Sequence, residues 1–230
     1  IRPSRGLGDV YKRQNDGWQV TLFRIIICFL LFNKINAGEI LSDLEYYNKG
    51  VSLYDEGAFD ESFIVFFNLA EKGHKDSIFN LSNMYYEGVG TIQNFKQSLK
   101  YCWLCVLNGN KKCLKKVDII KSKLSENVIE EIANQIPTIL EKNFIEFNNS
   151  KSAFKLGFWF ENFSPEIDYE QSYLWYSVSV SGGIYKAMKL RDRVGQEIEA
   201  DKIVELQTKA EEIFTKNKYF NEGKQMEGDI

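Results

Sequence analysis

Self-similarity at two fixed offsets limits the fold of this chain more than any other feature of its sequence. At an offset of 36 residues Phe59 aligns with Phe95, Ser62 with Ser98, Gly73 with Gly109, and Ser77 with Cys113. At 74 residues Asn94 aligns with Asp168, Phe95 with Tyr169, Gln97 with Gln171, Ser98 with Ser172, and Gly109 with Gly183. The second register continues through Cys113 and Ala187, Asp118 and Asp192, and Ile129 and Ile203. Because 74 is close to twice 36, the unit is a single supersecondary element. Periods of this size mark stacked repeats that cannot bury their apolar faces alone.

The periodicity within each unit is helical. Apolar residues recur at i, i+3, i+4 and i+7, in pairs of segments separated by short breaks. Ten helices are predicted, over 40–55, 59–72, 76–87, 94–108, 111–123, 125–143, 151–161, 168–181, 185–194 and 200–216. Asn94, Ser125 and Asp168 stand at helix starts, and Gly73, Gly88, Gly109 and Gly183 follow helix ends. Pro137 falls inside the sixth helix, so that helix either kinks or ends near Gln135 and restarts. The stretch 147–152, rich in Asn and Ser, is the expected longer connection. The composition, 44% hydrophobic and 14% aromatic with three prolines, supplies a core and argues against disorder. The fold class that follows is an all-α, α/α solenoid of about five helix hairpins.

These residues resemble the Sel-one-like repeat (SLR) family, a relative of the tetratricopeptide repeats. The second unit carries Leu81-Ser82, Tyr85, Gly88, Gly90, Asn94, Ser98, Tyr101 and Gly109 in the family's order. The fourth carries Ala153, Leu156, Gly157, Phe160, Asp168, Ser172, Trp175 and Gly183, with the Gly-x-Gly turn replaced by Asn162-Phe163-Ser164-Pro165. The resemblance covers about 44–215, with the third unit degenerate and the last hairpin similar to the family's C-terminal cap. It implies a scaffold that binds a protein or peptide.

The N-terminus reads as processing sequence. No methionine precedes Met84, and residues 1–14 resemble translated sequencing-adapter DNA, so they are set aside from the fold. Arg24 then precedes eight uninterrupted apolar residues, 25–32, in a segment 15–37 that matches a secretory signal peptide ending at Ala37. Eight residues are far fewer than the roughly 20 needed to span a bilayer. Cys28 follows Ile27 rather than a small residue, which excludes lipid attachment. Loss of residues 1–37 changes a net charge of −3 to −7, from 23 basic and 30 acidic residues. The repeat domain is expected over 38–217 and a flexible tail over 218–230. The expected location is secreted or periplasmic, in a bacterial cell envelope.

No residue pattern points to catalysis, a cofactor or a metal. Cys102-Trp103-Leu104-Cys105 lies inside a helix, and one histidine without a second cysteine pair cannot complete a zinc site. Cys105 and Cys113 bracket the turn at Gly109; they are either a disulfide, as in a cysteine-rich secreted branch of the resembling family, or two small buried residues. His74 sits at a turn with no nucleophile motif beside it. Gly88-Val89-Gly90 lacks the strand and lysine of a phosphate loop. Glu130-Glu131 and Glu211-Glu212 are adjacent in sequence and diverge by about 100° on a helix, so they are solvated faces.

Repeat alignment nominates Ser52, Asn83, Ile119, Phe158 and Arg193 as a partner-binding set, because each lies on a first helix between buried positions. Phe158 is the informative one, an aromatic where the clearer units carry Ser or Asn, either extra packing or a partner anchor. The expected function is a non-enzymatic exported scaffold for a protein or peptide. The alternatives are a cell-envelope enzyme or cell-wall-ligand binder using the concave groove, and a membrane-tethered regulator if 25–32 is retained. An acidic chain gives nothing that would draw it to nucleic acid.

Overall fold

Most helices have an apolar stripe to bury, and in the computed structural model consecutive helices bury those stripes against one another. The structure describes residues 42–228, with side chains as far as Asn221. The adapter-like and signal segments, with Cys28, lie outside the described residues. The chain divides into two units, Ile1–Tyr46 and Tyr47–Ile230.

The described residues form eleven α-helices: α1 Asp43–Asp55, α2 Phe59–Glu71, α3 Lys75–Glu87, α4 Phe95–Leu107, α5 Lys112–Lys121, α6 Glu126–Ala133, α7 Gln135–Phe147, α8 Ser150–Asn162, α9 Tyr169–Ser181, α10 Ala187–Val194 and α11 Ala200–Gly228. A 3-10 turn, Gly195–Glu197, joins α10 to α11. Among the described residues there is no strand, and no helix is long and apolar enough to cross a membrane.

Of the first unit, the described part is 42–46. Ser42 and Glu45 form a capping box there: the Ser42 amide donates to Glu45 Oε2 at 2.9 Å, and the Glu45 amide donates to Ser42 Oγ at 3.3 Å. The bond from the Ser42 amide holds the Glu45 carboxyl below its ordinary range. This cap starts α1 at Asp43, three residues after the periodicity alone would begin it.

In the second unit one continuous apolar core runs from Ala70 on α2 to Ala210 on α11. Contacts follow chain order, α2 on α3, α3 on α4, α4 on α5, α7 on α8, α8 on α9 and α9 on α10. The all-α solenoid is formed by this neighbour-on-neighbour packing.

The repeat register reappears as a repeated hydrogen bond. Ser62 Oγ donates to the Gly50 carbonyl at 2.7 Å, Ser98 Oγ to the Ser82 carbonyl at 2.8 Å, and Ser172 Oγ to the Gly157 carbonyl at 2.9 Å. All three serines are completely buried. In each case a small residue lets the second helix of a hairpin approach the first closely enough for a hydroxyl to reach its backbone. At Gly157 an added Cβ would lie 2.5 Å from the Tyr176 ring, and at Gly50 2.8 Å from Phe66 and Val65. Gly90 serves the next level of packing, since its Cβ would stand 2.2 Å from the Phe59 carbonyl of the preceding hairpin.

The cap residues behave as their chemistry requires. Asn94 and Asp168 accept from the amides of Gln97 and Gln171, and Gly88 closes α3 in the left-handed region. Ser125 occupies the N-cap position of α6 without a side-chain bond. His74 is the N-cap of α3, with Nδ1 accepting from the Ser77 amide at 3.3 Å.

Two boundary expectations are corrected and one is resolved. The expected 125–143 helix ends at Ala133 and restarts at Gln135, the second of the two outcomes that Pro137 allowed, so the described residues form eleven helices rather than ten. Pro137 thereby becomes the third residue of α7, where no intrahelical acceptor is needed for its missing N–H. The expected long connection at 147–152 is a two-residue turn. Asn148 adopts the left-handed conformation with φ 47°, and Asn149 caps α8 by accepting from the Lys151 amide. The last helix continues to Gly228, well past Lys216 and into the expected tail. Asn217 on it is buried and donates to Asn148 Oδ1 at 3.0 Å, which ties α11 to the α7–α8 turn.

Candidate functional site

Of the residues nominated by repeat alignment, Asn83 and Phe158 line different cavities. Ser52 is exposed on α1 and donates to Glu56 Oε1 at 2.7 Å. Asn83 on α3 is half-buried, accepts from Lys116 Nζ, and lines a cavity of about 350 Å³ with Tyr47, Tyr54 and Phe66. Ile119 on α5 is 51% exposed. Arg193 on α10 is exposed and pairs with the nearly buried carboxylate of Glu161, which also accepts from Tyr176 Oη at 2.7 Å. Phe158, on α8, forms part of the wall of a second cavity.

That cavity, about 670 Å³, opens between the α4–α5 turn, α8 and the approach to α10. Its volume is in the range of small-ligand pockets. Phe154 and Phe158 are four residues apart on α8, so they share a face, and their rings stack with centroids 6.4 Å apart. Phe163, which closes α8, meets Phe158 edge-on at 5.8 Å. The Asn162-Phe163-Ser164-Pro165 substitution for a Gly-x-Gly turn thus does more than reshape the turn, because it adds a third ring to the wall. Phe158 is half-buried, one side packed on rings of its own chain and the other facing the cavity.

Four lysines surround this apolar wall, Lys111, Lys151, Lys155 and Lys186, and no Asp or Glu lines it. Lys155 Nζ donates to Asn108 Oδ1 at 2.8 Å, and Lys186 Nζ sits 4.1 Å above the Phe154 ring. Burial, and then the neighbouring Lys151 charge, push the Lys155 amine below its ordinary pKa. Sequence reasoning singled out Phe158 and missed these cations, because they come from α8 and from the turns before α5 and α10, and only folding gathers them. The i, i+4 spacing of Phe154 and Phe158 was the one signal available.

A larger cavity of about 1140 Å³ lies between the α8–α9 turn and the 195–202 stretch. Carboxylates of Glu130, Glu166, Asp168, Glu170, Glu197 and Glu199 dominate it, and Asp168 already serves as the α9 cap. Among the described residues no group of three His, Cys, Asp or Glu side chains could hold a metal ion.

The described cysteines form a structural feature rather than a reactive one. Cys105 near the end of α4 and Cys113 at the start of α5 are joined across the Gly109 turn, with Cα atoms 6.1 Å apart. Cys102 remains a buried thiol that donates to the Cys113 carbonyl at 3.3 Å. Burial pushes its pKa up to about 11, the opposite of what a nucleophilic thiol needs.

No family model matches the sequence. Among solved structures the chain is similar to a protective antigen present in uropathogenic Escherichia coli strains, described as displaying an SLR fold, at 13% identity and a TM-score of 0.31. The match covers 75% of this chain and 46% of that one, so the chain spans less than half that protein's length. A likeness this distant carries no weight for fold or function, both of which rest on the residues described above. The architecture of the described residues is an all-α solenoid of stacked helices. Its marks are the serine-to-carbonyl bond recurring at Ser62, Ser98 and Ser172, the Gly88 turn, and the Asn94 and Asp168 caps.

Proposed function

We propose that this chain is a non-enzymatic scaffold, exported to the cell envelope, that holds a protein or peptide partner against the Phe158 wall. The observation that carries the reading is Phe158 itself. An aromatic ring at a repeat position where Ser52 and Asn83 stand in other units is kept half-exposed by a cavity on one side and supported by Phe154 and Phe163 on the other. Rigid aromatic rings presented in this way anchor partners at low entropic cost. Export is supported by the 15–37 segment and by a cysteine pair suited to an oxidising compartment.

The test is Phe158→Ser. The expected result is a melting temperature within a few degrees of the parent, with loss of partner capture from envelope extract. A large fall in melting temperature with capture retained by the folded fraction assigns Phe158 to packing instead. Recovery of glycan fragments in place of protein would move the chain to the class of cell-wall-ligand binders.

A further inference from the structure

The chain is acidic overall, yet the wall of its aromatic cavity is bordered by four lysines and by no carboxylate. Among the described residues none of the four is ion-paired with an Asp or Glu, although Lys96, Lys142 and Lys202 elsewhere are. We infer that the Phe158 cavity selects an acidic peptide segment, one apolar side chain seated on Phe154, Phe158 and Phe163 with flanking Asp or Glu carboxylates against Lys111, Lys151, Lys155 and Lys186. This rests on the peptide-scaffold reading and adds the chemistry of the ligand.

The four cations differ in how they are held. Lys155 is half-buried and positioned by Asn108, so it is preset to donate toward the cavity without first being ordered. Lys186 is placed by the Phe154 ring, while Lys111 and Lys151 are exposed and free to adjust. Lys151 and Lys155 are one helical turn apart on α8 and repel each other. A bound carboxylate relieves that repulsion, and a bound ammonium adds to it. Like charge therefore rejects basic segments as strongly as opposite charge attracts acidic ones.

The rings and cations would also suit a nucleic-acid strand, since bases stack on aromatic faces. Two features favour a peptide. The rings line one bounded cavity of about 670 Å³, room for a short peptide segment, rather than a running platform, and the acidic chain beyond the cavity repels a long polyanion.

The experiment uses the purified full chain, disulfide intact, and fluorescence anisotropy with labelled peptides of one length: Phe flanked by Glu, Phe flanked by Gln, Phe flanked by Lys, and Gly flanked by Glu. A single-stranded oligonucleotide of matched charge is the fifth probe. The expected order places the Glu-flanked Phe peptide first, with affinity falling as salt rises. The exposed pair Lys151→Glu/Lys186→Glu, checked for unchanged melting, lowers its affinity about tenfold and improves binding of the Lys-flanked peptide.

Equal binding of the three Phe peptides, abolished by Phe158→Ser, overturns charge selection while leaving the peptide scaffold standing. Acidic-peptide affinity unchanged by the double reversal, or matched by the oligonucleotide, overturns it as well. Absence of binding by every probe up to about 1 mM also overturns it, and the envelope-extract capture then decides the scaffold reading separately.

Discussion

Gly157→Ala adds one methyl group at the crossing of α8 and α9, and the structure sets its cost. The added Cβ would lie 2.5, 2.8 and 2.9 Å from three atoms of the Tyr176 ring, against the roughly 3.5 to 4 Å of ordinary carbon contact. The ring cannot easily yield. It is completely buried, its hydroxyl donates to Glu161 at 2.7 Å, and Phe154 packs beside it at 5.8 Å. The helices must therefore separate, and the Ser172 bond to the Gly157 carbonyl stretches with them. Overpacking of this kind costs about 1 to 3 kcal/mol, and loss of the buried hydrogen bond adds about 1. Better helix propensity returns about 1 kcal/mol, so the net expectation is about 1 to 3 kcal/mol of destabilisation. Urea unfolding followed by far-ultraviolet circular dichroism measures it. The cause is isolated by repeating the substitution in a Tyr176→Leu background, where the methyl group has room and most of the cost should vanish. A Gly157→Ala protein more stable than the parent, or a cost that persists without the ring, refutes close helix approach as the reason for glycine at this position.

Removing the Cys105–Cys113 link by Cys113→Ala opens a short loop, for which chain entropy alone gives about 2.5 kcal/mol; alkylation under denaturing, non-reducing conditions followed by mass measurement should show neither Cys105 nor Cys113 modified in the parent. Asp168→Ala removes the bond to the Gln171 amide and should cost about 1 kcal/mol in the same unfolding assay, whereas Ser125→Ala, which loses no side-chain bond, should cost less. With the Cys102 thiol pushed from 9.0 up to about 11, the folded chain retains a proton the unfolded chain has lost, so stability falls as pH rises across that interval; Cys102→Ala should reduce the slope, and an unchanged slope contradicts the assignment.

Much of the fold was legible in the sequence because the same chemical need recurs in every hairpin. A small residue is required wherever two helices cross, which is why Ser62, Ser98 and Ser172 fall at the two offsets. The turn at Gly88 and the caps at Asn94 and Asp168 were readable for the same local reason. The α6–α7 break was legible as one of two outcomes, since Pro137 signals either a kink or an end near Gln135 with a restart and does not say which. The tight Asn148-Asn149 turn was misread because two asparagines look like loop composition, while one takes the left-handed turn and the other caps α8. The Ser42–Glu45 capping box is a sequence motif, Ser-x-x-Glu, that marks the start of α1. The site was legible only in part. Phe158 broke the repeat, but Lys111, Lys155 and Lys186 become neighbours through tertiary packing that no local spacing encodes.

The most direct test of the peptide-scaffold account places a photo-crosslinking phenylalanine analogue at position 158 of the full chain, irradiates it in envelope extract, and identifies the adduct by mass spectrometry. Val204, exposed on α11 and outside the cavity, is the control position. The account predicts a protein-derived peptide, with Asp or Glu beside the linked residue, attached at 158 and absent from the control. Glycan adducts at 158, or the same protein recovered equally from both positions, would contradict it.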